Sequence, residues 1–291
     1  MSRRRNVERR RQSLAEIREI MNSMKTLAYM ETRKLSRFLD AQTAVERSIK
    51  EVAADFLSFH GDVLPQAQTG TPLYLVIGSE RGFCGDFNHA LLEKQQSALR
   101  ERSSGSPALI AVGHKLHTLL EGDARVVAWI DGASVVEEVA GVLNQLANEI
   151  VSFQTRHGAG EVFCVYHGSE DGVVVKPLLP PFAEFPGTPQ HHSVPPLLHL
   201  PPAAFLIELT DQYLFAALHA ILYTSLMLEN RHRVTHLEGA VKHLDDQSAE
   251  LARQSNALRQ EEIIEEIEVI LLSAASTDGD PRQRDDAGPT Y

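Results

Sequence analysis

Apolar residues near the start of the chain fall into a seven-residue repeat. From Leu14, alternate steps of three and four reach Ile17, Met21, Met24, Ala28, Glu31, Leu35, Phe38, Gln42, Val45, Ile49, Val52, Phe56 and Phe59. Twelve of these fourteen positions are apolar, and no proline or glycine interrupts them. A repeat sustained for that length marks a left-handed coiled-coil seam, because 3.5 residues per turn keeps one stripe against its partner. At 1.5 Å per residue, residues 14–59 predict a rod of roughly 70 Å. Gly61 and Pro65 supply its stop.

A similar element closes the chain. No proline occurs between Pro202 and Pro281, and Leu237, Leu244, Leu251 and Leu258 recur every seven residues with Val241, Ser248 and Ser255 between them. The stripe continues through Ile263, Ile267, Ile270 and Ala274. A helix over 204–275 would extend roughly 100 Å. It cannot bury such a stripe alone, so the first helix is its expected partner and a larger assembly must cover the rest.

Between these segments the period shortens. Leu73–Gly78, Ala108–Val112, Val126–Ile130 and Val162–His167 read as short buried strands, separated by helical stretches at 87–102, 114–120 and 134–153. The turn Gly168-Ser-Glu-Asp-Gly172 leads into Val173–Leu179, an expected hairpin edge strand. Strands alternating with helices predict a βαβ domain with a mostly parallel sheet. Residues 180–202 hold eight prolines and read as an exposed linker. The expected class is α/β, a Rossmann-like domain inserted between long terminal helices that form an antiparallel coiled coil. Its parts are a helix over 1–62, the α/β domain over 63–202, a second helix over 203–276, and a polar, disordered tail over 277–291.

Charge sharpens this picture. The chain has 28 basic and 39 acidic residues, a net −11, which argues against a general binder of nucleic acid or anionic membrane. Residues 1–50 carry 13 Lys/Arg and 6 Asp/Glu, whereas residues 245–286 carry 4 and 12. Opposite charge suits two ends that lie side by side; two separately solvated faces are the other reading. Cys84 and Cys164 lie too far apart for a disulfide framework or metal knuckle, which implies a reducing compartment. No apolar stretch of about 18 residues is expected, and so no segment that spans a bilayer. The Arg-rich start runs directly into the helical pattern, so it is not read as a transit peptide.

Candidate chemistry is sparse. Gly78-Ser-Glu-Arg-Gly82-Phe-Cys-Gly85 follows the first strand, where a phosphate loop would stand. Its glycine spacing fits neither G-x-G-x-x-G nor G-x-x-x-x-G-K-S/T, and Phe83 and Phe87 are bulky for a phosphate cradle. Cys84 at a strand–helix turn could be an activated nucleophile with His89 as its partner, but a small buried cysteine is the commoner outcome. His191, His192 and His199 lack metal-ligand spacing. Glu261, Glu262, Glu265, Glu266 and Glu268 read as a solvated helix face. No cofactor is expected.

The stretch Leu75-Val-Ile-Gly-Ser-Glu-Arg-Gly-Phe-Cys-Gly-Asp-Phe-Asn88 resembles the gamma subunit family of F-type ATP synthases. That family reads roughly Asp-Arg/Lys-Gly-Leu-Cys-Gly-x-Leu/Phe/Tyr-Asn at this turn. Four further segments agree in order: Ile20, Met24, Leu27-Ala28 and Arg33; Lys176-Pro-Leu-Leu-Pro180; Ser225, Glu229 and Arg233; and Asn256 to Ile267 around Arg259-Gln260. The resemblance runs from about residue 10 to 276. Met21, Glu31, Ile264, Val269 and Ser273 replace the family's Thr, Lys, Thr, Glu and Gly, which suggests a divergent, alternative bacterial form.

The resemblance implies a non-catalytic rotor subunit. Its helices would form a shaft inside a ring of alternating alpha and beta subunits, where catalysis takes place. Its α/β domain would grip an epsilon subunit and a membrane c-type ring. Met24, Arg233, Arg259, Gln260 and Glu266 would be contact or coupling residues, and Gly82, Cys84, Gly85 and Asn88 would shape the turn. The complex would sit peripherally on the cytoplasmic side of a bacterial inner membrane. Two other functions stay open on the residues alone, a nucleotide-dependent enzyme on the central domain and an unrelated coiled-coil scaffold.

Overall fold

The computed structural model describes residues 3–64, 70–101, 107–158, 160–168, 172–183, 185 and 194–277. Helix α1 spans Arg3–His60 and ends in a 3-10 turn at Gly61–Val63. There follow β1 (Leu73–Ile77), α2 (Phe87–Glu101), β2 (Ala108–Val112), α3 (His114–Leu120), β3 (Val126–Ile130), α4 (Val139–His157), β4 (Val162–His167), β5 (Val173–Leu179) and α5 (Pro202–Thr277). The fourth helical stretch starts later than the sequence predicts, because a 3-10 turn at Val136–Glu138 precedes α4. The expected tail beyond Thr277 lies outside the described residues.

The strands form one sheet in the order β3-β2-β1-β4-β5. All neighbours are parallel except β5, which pairs antiparallel with β4 as the hairpin signal predicts. Alternate residues of β1 point to opposite faces and feed two cores. Leu73, Leu75 and Ile77 join Leu143 and Leu146 of α4, Phe56 of α1, and Leu218 and Ile221 of α5. Tyr74 and Val76 join Phe87 and Leu91 of α2, Leu116 of α3 and Leu228 of α5. Central strands buried on both faces account for their continuous apolar runs.

The chain forms two compact units, one from Met24 to Leu237, the other made of α1 up to Ser23 and α5 from Glu238 onward. In the larger unit α1 and α5 run antiparallel: Phe38 meets Tyr223 at 6.0 Å between ring centroids, and Phe56 meets Phe205 at 4.8 Å. The uniform heptad expected along α1 needs correction here. Phe38, Val45 and Val52 are 44%, 46% and 48% exposed, whereas Ala28, Leu35, Ala53, Phe56 and Leu57 are buried. Steps of eleven now connect Ala28 to Leu39, and Leu35 to Leu57 through half-buried Glu46. That repeat corresponds to about 3.67 residues per turn and lacks the left-handed drift of a heptad. The cause is the partner surface: α1 shares a core with the sheet and α4 as well as with α5, and a wide surface selects a wider stripe. Glu31 contributes to the same contact, accepting the Val136 N–H at 2.7 Å where the chain enters α4.

In the smaller unit the heptad of α5 holds. Val241, Leu251 and Ser255 are buried, and Leu244, Ser248 and Leu258 are half-buried. Arg4 Nη1 reaches Glu262 Oε2 at 3.2 Å, and Arg18 pairs with Asp245, so the oppositely charged ends do meet. The Arg18–Asp245 pair is solvent-exposed and the Arg4–Glu262 pair half-buried, and both set register more than they stabilise. The expectation of no such stretch needs correction: one eighteen-residue window of α5 is apolar enough to cross a membrane by composition, and half of it is buried within the chain. The residues responsible pack in the core between Leu206 and Leu228.

Candidate functional site

After β1 the chain doubles back through residues 78–86 before α2 begins. Phe83 and Gly85 both take φ of 63°. Gly85 accepts that geometry freely, but at Phe83 it costs on the order of 1–3 kcal/mol and needs outside support. Some support is local. Asn88 Oδ1 accepts the Ser79 N–H and its Nδ2 donates to Ser79 Oγ, both at 2.9 Å. The Cys84 thiol lies 3.3 Å from the carbonyl oxygens of Arg81 and Gly82.

The rest comes from α5, where Glu229 and Arg233 stand one helical turn apart on the buried face. Glu229 is 3% exposed and Arg233 is 4% exposed. The Glu229 carboxylate accepts the backbone N–H groups of Glu80 and Arg81, each at 3.2 Å. Arg233 pairs with Glu229 and donates through Nε to the Gly82 carbonyl at 3.1 Å, through Nη1 to Asn230 Oδ1 at 2.7 Å, and through Nη2 to Cys84 Sγ at 3.3 Å. A planar guanidinium suits such a fork of acceptors. Burial pushes the Glu229 carboxyl upward, and Arg233 with the two backbone amides pulls against that shift. Glu80 extends the network: its Oε2 accepts the N–H of His114 at 2.9 Å and of Gly132 at 2.6 Å.

This arrangement bears on chemistry. In doubly wound sheets, ligands bind beyond the carboxyl ends of strands where strand order reverses. Here that reversal lies between β1 and β4, and the loop after β1 is held shut by α5 side chains and by Glu80. Backbone amides that would greet a phosphate already bind carboxylates of the chain itself. The Cys84 thiol is raised to about 11, chiefly by burial and then by Glu229, so it stays protonated near neutral pH. His89 is not its partner; Arg233 is. Among the described residues no group of three His, Cys, Asp or Glu could hold a metal. His199 is exposed, and His191 and His192 lie outside the described residues.

The structure thus brings Gly82, Cys84, Gly85, Asn88 and Arg233 together. Met24 is half-buried on α1, and Arg259, Gln260 and Glu266 are exposed on α5 in the smaller unit. Glu262 pairs with Arg4, so it leaves the expected solvated row of carboxylates. Sequence reasoning missed the tie made by Glu80 and the support from Asn230. The available signal for Glu80 was an acidic residue inside a glycine-rich turn, where free amides abound.

Beside the turn, His167 Nε2 of β4 donates to the Phe87 carbonyl at 2.8 Å, which places the ring proton on Nε2. Its ring stacks on Phe87 at 3.8 Å between centroids and lies 5.5 Å from His232. Burial holds the His167 pKa below the usual histidine value, and His232 adds to that while the Phe87 carbonyl and Asp86 oppose it. A depressed folded pKa means that the unfolded chain binds the proton first. The contribution is therefore intact above about pH 6.5 and is lost as pH falls through the folded value. The denaturation midpoint should drop between pH 7 and pH 5.5, and His167→Gln should flatten that slope; parallel slopes would remove His167 from the account.

A family model described as ATP synthase matches residues 3–276, and the chain belongs to that family. ATP synthase gamma chains are among its relatives. The ATP synthase gamma chain of Pelotomaculum thermopropionicum is 27% identical over 289 residues, covering 94% of this chain and 98% of the relative. That of Clostridium botulinum is 25% identical over 277 residues, covering 92% and 96%. A chain in the cryo-EM structure of Euglena gracilis mitochondrial ATP synthase superposes with a TM-score of 0.64 at 15% identity over 99% of each chain. A chain from the central stalk and c-ring of the Tetrahymena thermophila enzyme gives 0.52 at 19% identity, covering 76% of this chain and 99% of that one. At these identities the two structures show a shared fold.

Proposed function

We propose that this chain is the central-stalk rotor subunit of an F-type ATP synthase, with no active site of its own. It couples ion flow through a membrane c-type ring to ATP synthesis or hydrolysis on alpha and beta subunits. The observation that carries this reading is the unpartnered end of α5. Seven large apolar side chains between Ile263 and Leu272 are 46–71% exposed there. An exposed apolar stretch of that size marks a protein interface. A sleeve formed by a ring of alpha and beta subunits would cover it. The nucleotide-enzyme reading loses support because the crevice it needs is filled by Glu80, Glu229 and Arg233.

On this reading the larger unit contacts the epsilon subunit and the c-type ring, and the complex is peripheral on the cytoplasmic side of a bacterial inner membrane. Rotation presents different faces of the helical pair to each catalytic subunit, and differential contact shifts that subunit between states. Met24, Arg259, Gln260 and Glu266 act at those contacts. Arg233 acts indirectly, by holding the turn of Gly82, Cys84, Gly85 and Asn88 against α5.

Tagged chain should co-purify with alpha, beta and epsilon subunits. The double change Arg259→Ala with Gln260→Ala removes a charge-assisted donor and an amide that would engage a catalytic subunit at some rotary angles only. Complexes should stay intact while ATP turnover or ion pumping changes about two- to thirtyfold, and the two should fall out of proportion. Unchanged turnover and pumping would leave Arg259 a surface charge among neighbouring glutamates.

A further inference from the structure

Glu80 is bound from two sides. Its backbone N–H donates to Glu229 Oε2 of α5 at 3.2 Å, and its own Oε2 accepts from His114 N at 2.9 Å and Gly132 N at 2.6 Å. Those two amides stand just beyond β2 and β3, and Glu80 itself follows β1. One residue therefore connects the terminal helix to the carboxyl ends of three adjacent strands. The surroundings are shaped for this. A Cβ on Gly132 would stand 3.1 Å from Glu80 Oε2, and one on Gly113 would stand 2.8 Å from the carbonyl oxygens of Gly78 and Ser79. Two positions without side chains leave room for the carboxylate and its turn.

The rest of the hold of α5 on the sheet is mainly apolar, through residues such as Leu218, Ile221 and Leu222, with one long hydrogen bond from Ser225 Oγ to the Ile77 carbonyl at 3.5 Å. Apolar contact is non-directional, so buried area changes little when a helix rolls or slides by a fraction of an ångström. Hydrogen bonds weaken steeply once their angle falls below about 120°. The angle of α5 on the sheet is thus fixed by the polar set, and among the described residues of that set only the Glu80 side chain reaches onward to the ends of β2 and β3. We propose that Glu80 is a positioning residue through which load passes between α5 and the α/β sheet, keeping the two in fixed orientation while the rotor turns. This rests on the rotor reading above.

Amide exchange in the isolated chain and pumping by the complete complex in vesicles test it together. In Glu80→Ala the amides of His114 and Gly132 should exchange about tenfold faster, the effect of losing one hydrogen bond. ATP hydrolysis should stay within about twofold of wild type, while ions moved per ATP fall about threefold or more. Glu80→Gln keeps an acceptor oxygen and should pump like wild type. If the Ala variant does not assemble, Gly132→Ala decides: its methyl would stand 3.1 Å from Glu80 Oε2, crowd the carboxylate off its two amides and lower pumping per ATP in the same way. Fast-exchanging amides with unchanged pumping per ATP, in either variant, would overturn the proposal. Failure of the wild-type chain to join an alpha/beta ring would overturn the rotor reading instead, since that result does not involve Glu80.

Discussion

Arg233→Ala should lower the unfolding free energy of the larger unit by about 3–5 kcal/mol, because it leaves the Glu229 carboxylate buried without a counter-charge. Glu229 is 3% exposed and cannot recover water without opening the helix–turn contact. Three other acceptors lose their donor at once: the Gly82 carbonyl, Asn230 Oδ1 and Cys84 Sγ. For a unit of this size the melting temperature should fall by roughly 6–20 °C. Arg233→Lys should recover only part of the loss, since an ammonium cannot serve that fork of acceptors. Replacing both partners by Leu and Met should be far milder than either single change, as removing a buried pair costs less than breaking it. Thermal and urea unfolding of the three variants checks the order. A single Ala variant within about 1 kcal/mol of wild type would show that the turn is held by other means.

Phe56→Ala should cost about 3–5 kcal/mol, whereas Phe38→Ala should cost about 1 kcal/mol. Both residues occupy seam positions of the seven-residue repeat in the sequence. In the structure Phe56 is 1% exposed and packs on Phe205 at 4.8 Å, while Phe38 is 44% exposed and meets Tyr223 at 6.0 Å. Urea midpoints of the two variants separate the alternatives. Equal losses would restore a single heptad seam along all of α1; a threefold ratio supports the change to an eleven-residue stripe.

That contrast shows where the sequence was sufficient. Strands β2 to β5 and helix α3 have the bounds their patterns predict, because short apolar runs closed by glycine, proline or charge are local signals. The antiparallel helix pair was legible in the matching repeats and opposite charges, and Arg4–Glu262 and Arg18–Asp245 realise it. Which repeat applies in the lower part of α1 was not legible. It depends on a sheet and a helix that arrive up to about 120 residues later, and one-dimensional periodicity does not record the width of the partner surface.

The site shows the same division. Gly82, Cys84, Gly85 and Asn88 could be picked out as a turn through their resemblance to the family's motif, and Gly85 does take a positive φ. What that turn binds was hidden, because Glu229 and Arg233 lie some 150 residues away on a helix whose local pattern is unremarkable in charge. A buried Arg–Glu pair reads in sequence like any surface pair four residues apart. Only burial separates the two, and burial is a tertiary quantity.

Cys84 and Cys164 are 5% and 0% exposed, and burial raises both thiols. Alkylating reagents act on thiolates, so at neutral pH neither native sulfur competes with an exposed, newly introduced cysteine. A single probe for following rotation, a fluorophore or a bead tether, can therefore be placed on the outer face of either long helix in the natural background. Removing Cys84 first would be the poorer strategy, since its sulfur accepts from Arg233 and fills the turn that the terminal helix holds.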